Sequence, residues 1–298
     1  MGRDLGEFLK SRRARVRPED VGLPTFGRRR VPGLRREELA QLAGMSADYY
    51  MRLEQGRCGN VSEEVLDALA RELRLDADER TYLYNLVKPV RGRVRTTHTV
   101  VPHLRYLLDS MDSTPAYVID HRVDILAWNR MAAALIFDFG ELPADRRNWL
   151  LLCFLDDRVR DIFPDWERKA RDTVAIVRLN AARFPDDARL TALIGELSVK
   201  SELFRQWWAD LNVREKTYGT KRFTHPLAGE MTLHFQTFGV AGRSDQSLVA
   251  YAAEPGTAAA RGLSLLASWT LAERLAPDRE HDDDERDHHA GIADRAEP

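Results

Sequence analysis

The sequence predicts two domains, an all-helical N-terminal unit followed by a larger α+β unit built on an antiparallel sheet. Three observations lead there. The chain has 298 residues, about twice the length of a typical domain. Apolar residues recur at helical spacing as far as Val87, whereas in the last third they alternate as in half-buried strands. Between these regimes the segment 88–101 follows neither period. The expected divisions are a helical domain at 1–87, a linker at 88–101, the α+β domain at 102–276 and a tail at 277–298.

In the first domain, Leu5, Phe8 and Leu9 share a face with Arg12 and Arg13, so a helix opens the chain. A short helix over 37–43 turns Leu39, Leu42 and Ala43 inward and breaks at Gly44. Ser46 caps the next helix, which runs to Gln55 and stops at Gly56, a residue that tolerates the left-handed backbone after a helix. Ser62 caps a fourth helix with Val65, Leu66, Leu69, Ala70 and Leu73 on one face. Asp76 and Glu79 have the spacing of a capping box for a fifth, carrying Tyr82, Leu83, Leu86 and Val87.

In the second domain, Leu104, Leu107, Leu108 and Met111 predict a helix with one buried face. Tyr117 and Ile119, then Val123, Ile125 and Ala127, alternate across residues 120–122 and predict a hairpin. A helix starts at Asn129. Helical spacing continues over 149–163, 166–182, 188–197 and 203–211. Three further strands pass through Lys221 and Phe223, through Met231, Leu233 and Phe235, and through Leu248, Ala250 and Ala252. A closing helix near 258–275 offers Leu263, Leu266, Trp269 and Leu271 to the core. The whole reads as strand pair, helices, strand trio, helix.

Composition narrows the function classes. The longest apolar run, residues 149–155, is far short of the roughly 20 residues a membrane-spanning helix needs, and neither a membrane span nor a signal peptide is expected. Cys58 and Cys153 lie far apart without metal-ligand spacing, which argues against a disulfide framework and a zinc site and suits a reducing cytoplasm. The net charge of -2 conceals a separation of signs. Residues 1–36 hold 11 basic and 4 acidic side chains, and residues 278–298 hold 3 basic and 9 acidic. A basic head suits contact with a polyanion, because each phosphate neutralised releases counterions; a solvated basic face is the plainer reading. The acidic, apolar-poor tail is expected to be disordered, and His281, His288 and His289 within it are not read as a metal site. The chain has no Gly-rich phosphate loop, no HExxH and no Gly-x-Ser-x-Gly, so no enzyme, cofactor or metal is expected.

Residues 37–57, EELAQLAGMSADYYMRLEQGR, hold every position that a helix-turn-helix requires. Small Ala40 admits the second helix, Gly44 supplies the turn, and Leu39, Leu42, Tyr50 and Leu53 fix the crossing. A helical hairpin inside a bundle would explain the leucines but not the whole set. With the helix behind it, this segment resembles the lambda-repressor-like (XRE) helix-turn-helix family over residues 4–87. The resemblance implies double-stranded DNA as partner, with Ala47, Asp48, Tyr49 and Arg52 reading base edges in the major groove. Arg52 would pair with guanine; Asp48 would accept from a cytosine amine or orient Arg52; Tyr49 would meet a thymine methyl or a phosphate. Ser46 and Arg57 become backbone contacts, and Arg13 with Glu54 an internal ion pair that reads no sequence. The connection 17–36 is longer than the family's and carries Arg28, Arg29 and Arg30, assigned to the DNA backbone or a narrow minor groove, against a merely solvated loop. Two half-sites one helical turn apart imply a homodimer on a palindromic operator.

Pro115-Ala116-Tyr117-Val118, Asp124 to Asn129, Phe163-Pro164-Asp165-Trp166, Phe204-Arg205-x-Trp207-Trp208, His225 to Gly229 and Ala253 to Gly256 resemble the MmyB-type ligand-binding domain over residues 102–272. That resemblance implies a PAS-like fold and a small apolar or acyl effector that changes operator affinity. Tyr117, Trp128, Phe154, Trp166 and Trp208 are the expected pocket lining, with Arg222 or His225 for a carboxylate head group. Aromatics at helical spacing serve equally as core, Asn129 as a helix cap, and His225 before Pro226 as a satisfied turn histidine. The alternative is a protein-interaction or cofactor-based sensor on the same scaffold.

Overall fold

A computed structural model describes residues 2–23, 32–89, 99–213 and 217–275 of the chain. The linker expected at 88–101 falls mostly outside these residues, as do Arg28, Arg29 and Arg30 and the acidic tail.

The N-terminal part is helical: α1 (Gly2–Arg15), a single 3-10 turn at Pro18–Val21, α2 (Arg36–Leu42), α3 (Ala47–Glu54), α4 (Glu63–Glu72) and α5 (Ala77–Val87). Side-chain caps start three of them: Ser46, Ser62 and Asp76 accept from Tyr49 N, Val65 N and Glu79 N. Glu79 returns the bond to Asp76, completing the box. Leu5, Phe8, Leu9, Leu39, Tyr50, Leu53, Leu66, Leu69 and Leu83 are buried in one cluster.

The second part begins with α6 (Pro102–Asp109), β1 (Ala116–Asp120), β2 (Ile125–Trp128) and α7 (Arg130–Leu135). Five helices follow: α8 (Trp149–Leu155), α9 (Arg158–Ile162), α10 (Trp166–Arg183), α11 (Ala188–Lys200) and α12 (Glu202–Ala209). The chain then returns to the sheet through β3 (Tyr218–His225), β4 (Gly229–Val240) and β5 (Arg243–Ala252), and ends its described part in α13 (Ala258–Leu275). All pairings are antiparallel, in the order β2-β1-β5-β4-β3, so the helical middle joins one sheet edge to the other. Met231, Leu233, Phe235 and Tyr251 face the main core with α8, α10 and α13. Leu104 and Leu108 of α6 cover Val118, Ala127 and Leu248 in a separate small cluster.

Four expectations need correction. Val123 is not in a strand: it stands at φ 61 in a tight turn. Asp120 builds that turn, its Oδ1 accepting from Arg122 N (2.8 Å) and Asp124 N (2.9 Å), so β2 starts only at Ile125. The helix expected over 149–163 is two, because extended Asp156 interrupts it and its carboxylate accepts from Arg158 N at 3.1 Å. Leu107 is 47% exposed, since α6 presents only Leu104 and Leu108 to the sheet. Trp269 and Leu271 are 42% and 52% exposed, because α13 buries only the side that carries Ala259, Leu263 and Leu266.

Candidate nucleic-acid interface and ligand core

The geometry of α2 and α3 is set within the segment itself. Gly44 takes φ 68, a left-handed backbone that suits glycine, and Met45 N then donates to Ala40 O at 2.9 Å. Ser46 Oγ accepts from Tyr49 N at 3.2 Å, satisfying an otherwise unpaired donor at the N-terminus of α3. Tyr50 and Leu53 are buried on one face, leaving Ala47, Asp48, Met51 and Arg52 exposed on the other. The Arg52 guanidinium lies 5.9 Å from the Tyr49 ring centroid. Arg57 is exposed just beyond the helix, its N–H donating to Arg52 O at 2.9 Å.

Behind the exposed face a buried carboxylate ties three elements together. Glu54 Oε1 accepts from Arg13 Nε of α1 at 2.8 Å and from Tyr50 Oη at 2.9 Å; Oε2 accepts from Arg36 Nε at 2.6 Å. Burial pushes the Glu54 carboxyl up, but these donors more than offset it and leave it below its ordinary range. Helix α1 also comes so close to α3 that a Cβ on Gly6 would stand 1.9 Å from Glu54 O. The angle of α3 is therefore imposed by α1.

The two parts of the chain meet along α5 and α10. Leu179 of α10 and Val213 join the cluster that holds Leu83 and Leu86. Arg12, 2% exposed, lies 2.8 Å from Glu79 Oε1, and its Nη2 donates to Leu211 O at 2.6 Å. Arg15 Nη2 donates to Asn212 Oδ1 at 3.1 Å. Beside these contacts a cleft of about 910 Å³ runs between Arg15 and Glu79 on one wall and Trp166 and Arg171 on the other.

The expected pocket residues fall into separate places. Tyr117, 4% exposed, packs on Phe139, Trp149 and Tyr251, and its hydroxyl is 3.2 Å from that of Tyr251. Trp128 joins this group through Phe139 and donates from Nε1 to Asp138 at 3.1 Å. Phe154 and Trp166 form another group with Phe204 and Trp207, and Trp208 stacks on Phe204. Among the described residues no ring contact joins the two groups. His225 is held in its turn: Nε2 is 2.8 Å from Ala134 O, and Nδ1 accepts from Leu227 N and Ala228 N. Arg222 is half exposed, with Nη1 3.4 Å from Asp165 Oδ1. The seven side chains thus do not surround one cavity.

One side chain that the sequence reading passed over lies against the first of these groups. Lys169 of α10 is 6% exposed, with Nζ 3.6 Å from the Trp149 ring centroid and 4.7 Å from that of Phe163. Burial lowers its pKa to about 7, with nearby Lys221 adding to the shift and Cys153 and Asp172 opposing it. Flanked by Arg168 and Asp172, it reads in the sequence as part of a solvated helix face. Nothing in the local pattern marks it as interior. Met51 and Arg36 were missed in the same way, because exposure and pairing are properties of the assembled bundle.

Among the described residues no helix is long and apolar enough to cross a membrane, and no cluster of His, Cys, Asp and Glu has the form of a metal site.

Comparison with protein families gives two matches. Residues 4–83 match the helix-turn-helix domain, and residues 100–266 match the MmyB-like transcription regulator ligand binding domain. No curated protein matches the chain.

Proposed function

The chain belongs to the MmyB-like transcription regulator ligand-binding domain family and joins that domain to a helix-turn-helix; from that premise we propose that it is a sequence-specific DNA-binding regulator whose operator affinity is set by a small apolar or fatty-acyl ligand. The observation that carries this reading is α3 itself, capped by Ser46, anchored by buried Tyr50 and Leu53, and exposing Ala47, Asp48 and Arg52. A helix held from behind and bare in front suits insertion into the major groove. In this reading Ala47, Asp48, Tyr49 and Arg52 meet base edges, while Ser46, Arg57, Arg28, Arg29 and Arg30 meet the backbone. Two copies place two such helices on a palindrome. Helix α10 supplies the route between domains, since it lines the second domain's core and also packs on α5. A ligand that shifts α10 shifts α5, whose Glu79 holds Arg12 of α1.

The test is selection of bound sequences from random duplex DNA, followed by anisotropy titration of the selected site and a scrambled one. Arg52→Ala is expected to cost about 1–3 kcal/mol of discrimination and leave the affinity for scrambled DNA nearly unchanged. Equal affinity of the native chain for both duplexes would overturn the proposal. Mass spectrometry of the organic extract, beside native mass spectrometry of the intact protein, tests the apolar ligand. If none co-purifies and added fatty acids leave operator affinity unchanged, the second domain is better read as a protein-interaction or cofactor-based sensor.

A further inference from the structure

The outward face of α13 is exposed and carries no charge. From Gly262 to Ala272 the helix holds no acidic or basic side chain, in a chain of which 31% is charged. A helix face that stays in water ordinarily carries its charged residues there. Here the exposed positions are Ser264, Leu265, Ser268, Trp269, Leu271 and Ala272, with Leu265 52% exposed. The exposed Tyr106 and Leu107 of α6 differ, because exposed Arg105 and Asp109 flank them. The serines of α13 add no demand for water. Ser264 Oγ donates to Ala260 O and Ser268 Oγ to Ser264 O, both at 3.0 Å, so these hydroxyls are satisfied within the helix. Covering them leaves no new unpaired donor.

The order of residues along this face fits a second copy of the same face. The middle of the exposed strip reads Arg261, Leu265, Ser268, Ala272, two long side chains followed by two small ones at helical spacing. Turned end for end about a point between Leu265 and Ser268, the strip meets itself with each long side chain opposite a small one. Leu265 then lies over the partner's Ser268, Arg261 over the partner's Ala272, and Trp269 beside the partner's Leu265. A two-fold axis makes each contact twice, as an isologous pairing requires. Charge agrees with the same register. A groove of about 530 Å³ lies between Leu271 and the loop that carries Asp109 and Asp112, which outnumber Arg130 in its wall; the pairing brings Arg261 of one copy to the mouth of this groove on the other. On the opposite side a groove of about 720 Å³ lies between Trp269 and exposed Leu227. With 18 residues α13 is about 27 Å long, and a helix about 10 Å wide with a groove on either side offers on the order of 800 Å² per copy, the size of a standard stable interface.

We propose that the outer face of α13 is the surface through which two copies of this chain pair, helix against helix and antiparallel. This rests on the reading of two copies on a palindrome given above and deepens it, by naming the face that holds them together. The join falls in the second domain: α13 packs on α7 and β4, and among the described residues none of its side chains enters the cluster that supports α3. Pairing there buries α13 and leaves α3 bare.

The test is sedimentation velocity of the full chain without DNA, over a dilution series. A reversible dimer is expected. Trp269→Glu and Leu265→Glu are each expected to weaken association by about tenfold or more, since pairing would bury an unpartnered carboxylate. Tyr106→Glu, on the exposed side of α6, is expected to leave it unchanged. All three positions are exposed, and thermal unfolding verifies that the variants fold. A second experiment reads the register. Leu265→Lys and Ser268→Glu each weaken self-association, but an equal mixture of the two chains is expected to favour the mixed dimer, because the introduced ammonium of one chain meets the introduced carboxylate of the other. Native mass spectrometry separates the three species by mass. A parallel pair would set position 265 against itself and give no such preference. A chain that stays monomeric throughout, a dimer that neither Trp269→Glu nor Leu265→Glu weakens, or a mixture without preference for the mixed dimer would overturn the proposal. Palindromic sites selected by a chain whose dimer survives both variants would leave the operator reading standing while this assignment fails. Single, unrepeated sites selected by a chain that pairs through α13 would leave this interface standing while the palindrome fails.

Discussion

Each half of the molecule buries a charge, and the two are treated in opposite ways. Glu54, under α3, receives Arg13, Arg36 and Tyr50, and its side chain is 4% exposed. Lys169, packed against the sheet, is about as deeply buried and, among the described residues, has ring faces rather than a carboxylate within ion-pair distance. A buried charge with full partners rigidifies what surrounds it, whereas one without them stays ready to change its protonation or gain a partner. The N-terminal domain is therefore a finished platform that holds a reading helix at a fixed angle. The second domain keeps an unmet electrostatic demand on the helix that touches that platform.

The largest effect expected from this contrast is at Glu54. Glu54→Ala leaves Arg13 Nε and the buried Tyr50 hydroxyl without their acceptor, and we expect the N-terminal domain to lose about 3–5 kcal/mol in urea unfolding. A loss below about 1 kcal/mol would mean that the ion pair is incidental. Next comes Gly6→Ala. The added methyl meets Glu54 O and must push α1 from α3, costing about 1–3 kcal/mol and, more tellingly, lowering operator affinity with every DNA-facing residue intact. Unaltered DNA affinity would show that α1 does not set the angle of α3.

The effect that sharpens the comparison most is the pH dependence of stability. Lys169 releases its proton at about 7 in the fold, against 10.5 for an ordinary lysine. Between these values the unfolded chain holds more protons than the native one, so this group makes stability rise with pH across that window. Lys169→Met is expected to flatten that rise and to stabilise the protein around neutrality and below, where the native fold otherwise holds a buried ammonium. Asp120 works in the opposite sense. Burial, with Asp124 adding to it, raises its carboxyl to about 7 from 3.8, so its contribution to stability falls as pH rises between those values. The two windows meet near neutrality, and a Lys169→Met curve subtracted from the wild type isolates the upper one. Thermal unfolding across the range provides both curves; identical ones would mean that Lys169 titrates as in water.

What the sequence determined by itself was local. Ser46, Ser62 and Asp76 lie three residues from the N–H groups they cap, and Gly44 carries its turn within the motif, so the helix-turn-helix was legible from spacing. The alternation of Phe223, Met231, Leu233 and Phe235 likewise announced strands, because side-chain direction in a strand is a two-residue property. The interior of the second domain was read less well. Tyr117, Trp128, Phe154, Trp166 and Trp208 were recognisable as aromatics of the right kind, yet only packing separated them into two groups. Arg12 meets Leu211 across 199 positions, and no local pattern can announce a partner so distant. Lys169 looks in the sequence like a solvated lysine, and Trp269 like a core tryptophan; the tertiary structure reversed both. Caps, turns and strand alternation arise from bonds within a few residues and are written in order along the chain. Burial is decided by which surfaces close over a residue, and for Lys169 those surfaces are Trp149 of α8 and Phe163 beyond α9, brought over it only when the helices pack.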